Sequence, residues 1–335
     1  MSTKVAINGF GRTGRALLRA IRTRSLDLDV VAINDLGSAA QLAKLLSRDS
    51  VHGPFGESVA ADCGALHVGE QRIRVFSERE PRALQWGALG VEVVAECSGR
   101  NTTRDRAAAH LEAGAQRVVV SAPCTGADAT FVLGVNEDTY DPEAHLVVSN
   151  ASCTTNCFAL MAKVVDEGFG VESGLMTTVH AYTGDQALVD GLHRDPRRGR
   201  GAGINIVPTS TGAARSTGMV LSGLEGRMDG MSLRVPVPDG SITDFVALVE
   251  RRASVNDVNE AFRSAADGSL KGLLEYCDEP LVSSDVVGSP SSCLYDAGLT
   301  MVQGRLVKTF GWYDNEWGYS NRLADLVALV ARGRS

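Results

Sequence analysis

The sequence predicts an α/β protein with an N-terminal parallel sheet of the Rossmann type, followed by an α+β domain with a mixed or antiparallel sheet. Two patterns support this class: short apolar runs alternate with helical patterns in the first half, and longer strand-like runs follow in the second. At 335 residues, the chain also exceeds the roughly 250–300 residues that one core usually serves. We therefore expect two domains, one formed by residues 1–151 with a C-terminal helix at about 316–335, the other by residues 152–315.

The first half carries the pattern of a parallel sheet. Candidate buried strands lie at 4–7, 29–33, 91–95, 117–120 and 146–148, and candidate helices between them at 11–23, 39–46 and 103–113. We expect the run 73–76 to be an extra antiparallel strand. Because strands and helices alternate, the strands should run parallel.

The second half has a different pattern. A helix is expected at about 152–167, and strands are expected at 174–180, 231–236, 243–251 and 306–313. The long segment 182–206 is rich in Gly, Arg and Asp, and a loop of that length is usually functional or part of an interface. A terminal helix over 315–330 is indicated by apolar side chains that recur on one helical face.

Composition excludes several classes of partner. The net charge of -7 favours solubility and argues against nucleic acid or an anionic membrane as a partner. No run approaches the roughly 20 apolar residues that span a bilayer, and the start lacks signal-peptide architecture, so we expect a cytoplasmic protein. The seven scattered cysteines are expected to be thiols, and since their spacing does not suit a metal, no metal site is expected.

Residues 9–14 read GFGRTG, which fits the pattern Gly-x-Gly-x-x-Gly between a strand and a helix. In this context Gly9 and Gly11 permit a tight turn and a close approach of a pyrophosphate to the helix N-terminus. The next strand ends at Asp35, 21 residues after Gly14, where a carboxylate can bind a ribose hydroxyl and repel a 2′-phosphate. These features favour NAD over NADP and over a generic α/β turn, although dual use of both cofactors stays open.

Residues 149–157 read SNASCTTNC and place Cys153 where a strand ends and a helix begins. The helix N-terminus is expected to lower the pKa of this thiol, and the neighbouring hydroxyls can cap the helix or bind an anion. On these residues alone, a well-capped helix with a structural cysteine is an equally good interpretation.

A base for such a nucleophile is suggested by His180, which ends an apolar strand. A Cys–His pair would suit the chemistry, although a lone histidine is more often structural. Hydroxyls and arginines at 183–200, 209–213 and 234 are typical of phosphate sites, with a solvated loop as the alternative. A nicotinamide cofactor, a thiolate, a histidine and anion sites together suit oxidation of an aldehyde through a thioester.

The sequence resembles the phosphorylating glyceraldehyde-3-phosphate dehydrogenase family over nearly its whole length. The matching blocks are 8–12, 32–36, 49–53, 149–157, 177–183, 205–214 and 312–322. The resemblance implies that Cys153 forms a thiohemiacetal with the aldehyde of D-glyceraldehyde 3-phosphate and that His180 acts as acid and base. It further implies NAD as cofactor, inorganic phosphate as the second substrate, and a homotetramer whose 182–206 loop reaches a neighbour's cofactor.

The resemblance also implies binding residues. For the substrate phosphate they are Thr183 and Arg234 with Asp185 nearby; for the attacking phosphate Ser152, Thr154, Thr211 and Gly212; and Arg198 assists both. For the dinucleotide they are Arg12, Thr13, Asp35, Arg79, Ser98, Gly99 and Ser121, with Asn315 on the nicotinamide carboxamide and Tyr319 close by.

Some positions depart from the family pattern, among them Thr13, Cys124 and the glycine-rich 197–203 segment. They motivate the hypothesis of a specialised isozyme that tolerates an electrophile which would alkylate Cys153. Two rival functions are erythrose-4-phosphate dehydrogenase and a non-catalytic NAD-binding regulator. The stretch PTSTGA at 208–213 argues against the first, and the presence of Cys153, His180 and Arg234 together argues against the second.

Overall fold

The structure is a computed structural model that describes residues 2–333. Within that range no helix combines the length and the apolar character needed to cross a membrane. Contacts divide the chain into two compact units. Unit 1 comprises the residues up to Phe131, Asp138–Ala151, and the residues from Ser320 on, and unit 2 comprises Val132–Glu137 and Ser152–Tyr319.

The strands in chain order are β1 (Thr3–Asn8), β2 (Leu28–Asn34), β3 (Arg48–Asp49), β4 (Gly53–Pro54), β5 (Val59–Asp62), β6 (Ala65–Val68), β7 (Gln71–Phe76), β8 (Val93–Glu96), β9 (Arg117–Val120), β10 (Ala129–Thr130), β11 (Val147–Ser149), β12 (Val171–Ala181), β13 (Val207–Ser210), β14 (Met228–Val235), β15 (Ser241–Val249), β16 (Leu274–Cys277), β17 (Cys293–Asp296), β18 (Met301–Gln303) and β19 (Leu306–Tyr313).

The helices in chain order are α1 (Arg12–Thr23), α2 (Ala39–Ser47), α3 (Trp86–Leu89), α4 (Arg104–Ala107), α5 (Ala109–Glu112), α6 (Cys153–Phe169), α7 (Ala213–Val220), α8 (Val255–Asp267), α9 (Ser283–Val286) and α10 (Trp317–Arg332). Single 3₁₀ turns occur at Pro81–Ala83, Glu137–Thr139, Ser222–Leu224 and Ala297–Leu299.

Unit 1 is built on one sheet with the strand order β10-β11-β9-β8-β1-β2-β7-β6-β5. The strands from β10 to β7 pair in parallel, while β5, β6 and β7 pair antiparallel to one another. The expectation for 73–76 was therefore half right, because β7 is antiparallel to β6 but parallel to β2. The helix expected at 103–113 is interrupted and forms the two short helices α4 and α5.

Unit 2 is built on a mixed sheet with the order β13-β14-β12-β15-β19-β17-β16, and β18 pairs with β19. Strand β12 runs parallel to β14 and antiparallel to β15. One face of this sheet packs on α6, where the rings of Phe158 and Phe245 meet edge to face at 4.9 Å. The predicted fold class, a Rossmann-type sheet and a second mixed-sheet domain, is confirmed.

Candidate active site

Cys153 is the first residue of α6, and the start of that helix is well defined by its cap. The Oγ of Ser152 accepts the backbone N–H of Thr155 at 3.0 Å, and the side-chain amide of Asn156 donates to the carbonyl of Ser152 at 2.9 Å. Beyond this first turn the helix buries an apolar face in the core of unit 2. A capped end on a buried helix holds the thiol in one place.

His180 lies near the end of β12 and faces the thiol. Its Nε2 is 3.4 Å from the Sγ of Cys153, and its Nδ1 is 2.7 Å from the carbonyl oxygen of Ala181. A carbonyl oxygen can only accept, so Nδ1 carries the proton and Nε2 presents its lone pair to the sulfur. The imidazole is therefore oriented as a base toward Cys153.

Burial governs the protonation of this pair. It raises the pKa of Cys153 to about 11, against the lowering effect of the Arg234 charge and of hydrogen bonds from Thr154. Burial and the Arg234 charge also lower the pKa of His180 to about 3. The expectation of a lowered thiol pKa at the helix N-terminus is thus wrong in its net direction, because loss of solvent outweighs the favourable groups. At neutral pH the thiol and the imidazole are both uncharged.

Arg234, on β14, donates hydrogen bonds both beside His180 and to Thr183. Its Nη1 donates to the hydroxyl of Thr183 at 2.7 Å and to the carbonyl of Ala181 at 3.2 Å. The strand register explains the contact with the carbonyl of Ala181, since the preceding residue, His180, lies directly opposite Arg234 in the β12–β14 pair. One guanidinium therefore lies beside both the backbone that orients His180 and the hydroxyl of Thr183.

Asp185 continues this chain on the far side of Thr183. The hydroxyl of Thr183 donates to one carboxylate oxygen of Asp185, and Arg198 donates to the other. Burial alone would raise the pKa of Asp185, but Thr183, Arg234 and Arg198 bring it below its ordinary value. Asp185 is thus an anion that holds the hydroxyl of Thr183 and the guanidinium of Arg198 in place, and its own charge would repel a phosphate.

The residues expected at the attacking phosphate lie on two helices: Thr211 and Gly212 precede α7, and Thr154 belongs to the first turn of α6. Thr211 Oγ1 accepts the N–H of Ala213 at the start of α7, with Gly212 as the N-cap, so a helix N-terminus lies there. The hydroxyl of Thr154 is buried and lies 2.8 Å from the hydroxyl of Tyr313. Thr154 as a phosphate ligand stays a prediction, and its hydroxyl already has a partner.

Sequence reasoning missed two supporting residues. The hydroxyl of Tyr313 also lies 2.7 Å from that of Thr178, and its ring packs edge-on against His180 at 6.0 Å. The hydroxyl of Ser241 accepts the N–H of Ala181 and donates to Oδ1 of Asn315 at 2.6 Å. Tyr313 lies inside a sequence block already singled out, but only the pairing of β12, β15 and β19 brings these groups together.

Unit 1 contains a cleft of about 450 Å³ at the carboxyl ends of β1, β2 and β8, the usual place for a ligand in such a sheet. Of the expected cofactor residues, it is lined by Gly9, Gly11, Asp35, Arg79 and Ser98. The further lining residues are Asn8, Asn34, Leu36, Glu78, Cys97, Arg100 and Asn101.

The other expected cofactor residues do not line this cleft. Arg12 forms an ion pair with Asp49, and Thr13 follows it in the first turn of α1. Gly99 has a left-handed φ of 68° in the turn after β8, and Ser121 follows β9, where its N–H bonds to the carbonyl of Glu96. Asn315 and Tyr319 are buried residues of unit 2.

The glycines shape the cleft for a dinucleotide. A side chain on Gly14 would collide with the carbonyl of Gly9, and one on Gly9 would come within 2.5 Å of the Ser98 backbone. A Cβ on Gly11, by contrast, would point into open space, and no side chain caps α1 at this residue. The N-terminus of α1 thus faces room that suits a pyrophosphate.

Asp35 is held for contact with a sugar. Its Oδ2 accepts the N–H of Phe10 at 2.7 Å and its Oδ1 accepts the N–H of Gly37 at 3.1 Å. Each carboxylate oxygen has a second lone pair, so a ribose diol can still be bound. The residues of the cleft therefore fit an adenosine dinucleotide without a 2′-phosphate.

Comparison with known families identifies two regions of the chain. A family model described as the NAD binding domain of glyceraldehyde 3-phosphate dehydrogenase matches residues 3–104, and one described as its C-terminal domain matches residues 152–315. The two matches contain the glycine motif and the Cys153–His180 pair, respectively.

Similar proteins cover the chain almost end to end. Glyceraldehyde-3-phosphate dehydrogenase 1 of Streptomyces avermitilis is 54% identical over 330 residues, which are 98% of this chain and 99% of the relative. Glyceraldehyde-3-phosphate dehydrogenase 2 of Streptomyces arenae is also 54% identical, with the same coverage. Glyceraldehyde-3-phosphate dehydrogenase of Mycolicibacterium smegmatis is 52% identical over 339 residues and 99% of both chains.

Proposed function

The chain belongs to the glyceraldehyde-3-phosphate dehydrogenase family, and from this premise we propose how its residues carry out the NAD-dependent oxidation of glyceraldehyde 3-phosphate. The observation that carries the proposal is the Cys153–His180 pair, with Sγ and Nε2 3.4 Å apart and the imidazole oriented by Ala181. A thiol beside an oriented base is what covalent catalysis on an aldehyde requires.

In the first step the sulfur of Cys153 adds to the aldehyde carbon. The thiol proton moves to Nε2 of His180 as the C–S bond forms, and His180 then delivers it to the former carbonyl oxygen, which gives a thiohemiacetal. Because the pKa of Cys153 lies at about 11, free thiolate is scarce at neutral pH, so proton transfer to His180 must accompany the attack.

In the second step the thiohemiacetal becomes a thioester. NAD⁺, when bound, would supply the acceptor for the hydride that leaves the former aldehyde carbon. His180 accepts the hydroxyl proton from the same centre. The low pKa of His180 makes the resulting imidazolium a strong acid, able to return its proton when the thiolate of Cys153 leaves.

Inorganic phosphate then attacks the thioester to give 1,3-bisphosphoglycerate. We propose Ser152, Thr211 and Gly212 as its binding residues, supported by the helix N-terminus that Thr211 and Gly212 form at the start of α7. For the substrate phosphate we propose Arg234, Thr183 and Arg198, with Asp185 as the group that orients them. The hydrogen-bonded chain that joins these four side chains supports this assignment.

For Thr154 we propose stabilisation of the sulfur in addition to any phosphate contact. Its hydrogen bonds lower the pKa of Cys153 against the larger effect of burial, and its hydroxyl is held by Tyr313. Asn315, tied through Ser241 to the residue after His180, is proposed to hold the nicotinamide carboxamide.

We further propose a cytoplasmic homotetramer in which the 182–206 loop contributes to a neighbouring subunit. The loop leaves large apolar side chains exposed, among them Leu188 at 83% and Ile204 at 85%, which is unusual for a solvated surface. Light scattering coupled to gel filtration tests the assembly, and a monomer at micromolar concentration would contradict it.

The hypothesis of an electrophile-tolerant isozyme also stays a proposal. It is supported by the raised pKa of Cys153, since a thiol reacts with alkylating agents as its thiolate. Inactivation rates with iodoacetate, measured beside a housekeeping relative, test it, and equal rates would contradict it.

The central experiment follows NADH formation from glyceraldehyde 3-phosphate by absorbance, with and without phosphate and with NAD⁺ or NADP⁺. We expect turnover that needs phosphate and prefers NAD⁺. Cys153→Ser should lower kcat by about 10⁴-fold or more, because the hydroxyl is a far weaker nucleophile in the same place. NAD⁺ binding by this variant, measured calorimetrically, should stay within about twofold of wild type, and turnover without phosphate would overturn the proposed mechanism.

A further inference from the structure

The cleft in unit 1 rests on a buried carboxylate that no part of the proposed chemistry uses. Glu96, the last residue of β8, is 1% exposed. Its Oε2 accepts the amides of Asn8 at 2.6 Å and Asn101 at 2.8 Å, and its Oε1 accepts the backbone N–H and the hydroxyl of Ser98. Two segments of the cleft wall, one at Asn8 and one at 98–101, thus converge on one side chain.

A fifth donor reaches Glu96 from behind the cleft. Nε2 of the fully buried His110 lies 2.9 Å from Oε2 of Glu96, and its Nδ1 lies 3.0 Å from the indole nitrogen of Trp86. An indole N–H can only donate, so Nδ1 accepts and the proton on Nε2 points at Glu96. The imidazole is locked as a donor to the carboxylate.

The carboxylate is also one end of a row across the sheet. Asn8 is opposite Glu96 on β8 and opposite Asn34 on β2. The amide of Asn34 donates to Oδ1 of Asn8 at 2.7 Å and to the carbonyl of Glu78 at 2.9 Å, and Asn34 Oδ1 accepts the N–H of Glu78 at 2.8 Å. The row therefore reaches from Ser98 to the residues beside Asp35 and Arg79, all of which line the cleft.

The glycine turn is joined to the same row. Gly9 follows Asn8 directly, and a Cβ on Gly9 would lie 2.5 Å from the Cα of Ser98, so the two turns are in contact. A shift of the Ser98 turn would therefore move the turn that faces the pyrophosphate. Burial raises the pKa of Glu96, but the hydrogen bonds from His110, Ser98 and Asn101 bring it below its usual value, so the acceptor stays ionised.

We propose that Glu96 is the positioning residue of the dinucleotide site: its carboxylate, held by His110 and Trp86, sets the geometry of the turns at Gly9 and Ser98 for NAD. The inference rests on the proposed function only in taking NAD as the ligand of this cleft. Supporting groups of this kind commonly change ligand affinity without touching the ligand.

The test is calorimetric titration of NAD⁺ into the full-length protein without substrate. In Glu96→Gln the new amide presents N–H groups to donors, so at least two of the five lose their acceptor. We expect the Kd for NAD⁺ and the KM for NAD⁺ to rise by about tenfold or more. At saturating NAD⁺, kcat should stay within about threefold of wild type and the KM for glyceraldehyde 3-phosphate should not change.

Asp128→Asn is the matched control, because Asp128 is also a carboxylate of unit 1 that accepts backbone N–H groups, those of Leu146 and Val147 at 2.9 and 2.7 Å. It does not line the cleft. This variant should lower the melting temperature while its Kd for NAD⁺ stays within about twofold of wild type. An unchanged Kd in Glu96→Gln, or an equal rise in both variants, would overturn the proposal.

His110→Phe keeps the inference testable if Glu96→Gln does not fold. This change removes one donor of the five and leaves the carboxylate, so a rise of about threefold in Kd is expected, and no rise would overturn the proposal. Wild-type protein that fails to bind NAD⁺ would instead contradict the proposed function, while wild-type binding with an unaffected Glu96→Gln contradicts only the role of Glu96.

Discussion

Buried titratable groups are charged in one polar region of this molecule and neutral in the other. In the cleft of unit 1, Glu96 is buried among donors and stays ionised. In unit 2, Cys153 and His180 are buried with few groups that favour their charged forms, and they stay neutral. The same loss of solvent thus accompanies a permanent charge in one place and widens the pH range over which two titratable groups stay neutral in the other.

The difference follows from what each region does. A binding cleft gains from groups whose charge and direction are already set when the ligand arrives, because reorganisation would reduce affinity. A nucleophile and its base need a proton transfer that occurs only with the substrate in place, and a neutral resting pair avoids an idle buried ion pair. The predictions below test each half of this contrast.

Apart from replacement of the nucleophile itself, the largest effect is expected from His180→Asn. Without the imidazole, the thiol of Cys153 has no neighbour to accept its proton, so kcat should fall by about 10²–10⁴-fold. The pH dependence of alkylation by iodoacetamide should change as well. In the wild type the proton passes from Sγ to Nε2 inside the pair, so the reactive tautomer has a constant population between the pKa of His180 at about 3 and that of Cys153 at about 11.

The wild type and His180→Asn should differ in how the alkylation rate depends on pH. In His180→Asn the thiolate forms only by loss of a proton to solvent, so the alkylation rate should rise about tenfold per pH unit through the neutral range. The wild-type rate should be nearly flat there. A wild-type rate that climbs as steeply as that of the variant would contradict a neutral pair and would make Cys153 independent of His180.

A smaller effect is expected in the cleft from Asp35→Asn. An amide oxygen can accept from Phe10 or from Gly37, while the amide nitrogen faces the other N–H. Loss of a charged acceptor should raise the Kd for NAD⁺ by about tenfold. Because the charge of Asp35 would no longer repel the 2′-phosphate of NADP⁺, the preference for NAD⁺ over NADP⁺ should become smaller. Calorimetric titration of both cofactors measures this, and kcat at saturation serves as the internal control. An unchanged ratio of the two Kd values would contradict the role of Asp35 in cofactor choice.

The cleft also differs from the catalytic region in how far sequence reasoning reached. Gly9, Gly11 and Asp35 belong to one short strand–turn–helix–strand segment, so spacing along the chain was enough to predict them together as cofactor residues, and they line one cleft. Glu96 was not predicted as a site residue, because its contact with Asn8 joins residues 88 positions apart through strand pairing. No local pattern records which strands become neighbours in a sheet.

In unit 2 the sequence indicated which residues form the pair, but it did not indicate how deeply the fold buries them. Cys153 stood out through the polar residues around it and His180 through its place at a strand end, and the structure puts them 3.4 Å apart. The direction of the thiol's pKa shift was predicted wrongly, because it depends on how much solvent the finished fold removes. Fold class and family could be predicted because they depend on strand–helix order and on blocks spread over the whole chain.

The smallest effect is expected from Tyr313→Phe, which removes one buried hydroxyl and keeps the ring against His180. The hydroxyls of Thr154 and Thr178 then lose their common partner, which should lower the free energy of unfolding by about 1–2 kcal/mol. Since Thr154 adjoins Cys153, we also expect kcat to fall by about fivefold, which corresponds to about 1 kcal/mol in the barrier. Urea unfolding and steady-state kinetics measure the two quantities.

Tyr295→Phe separates stability from catalysis in this comparison. Tyr295 is a buried tyrosine of the same unit, and its hydroxyl also has two partners, Asn259 and Thr300, away from the Cys153–His180 pair. It should lose a similar free energy of unfolding with an unchanged kcat. If both variants lose activity in proportion to stability, Tyr313 only supports the fold. If Tyr313→Phe alone slows turnover, the hydroxyl acts through Thr154 on the sulfur, and the neutral resting pair depends on hydrogen bonds as well as on burial.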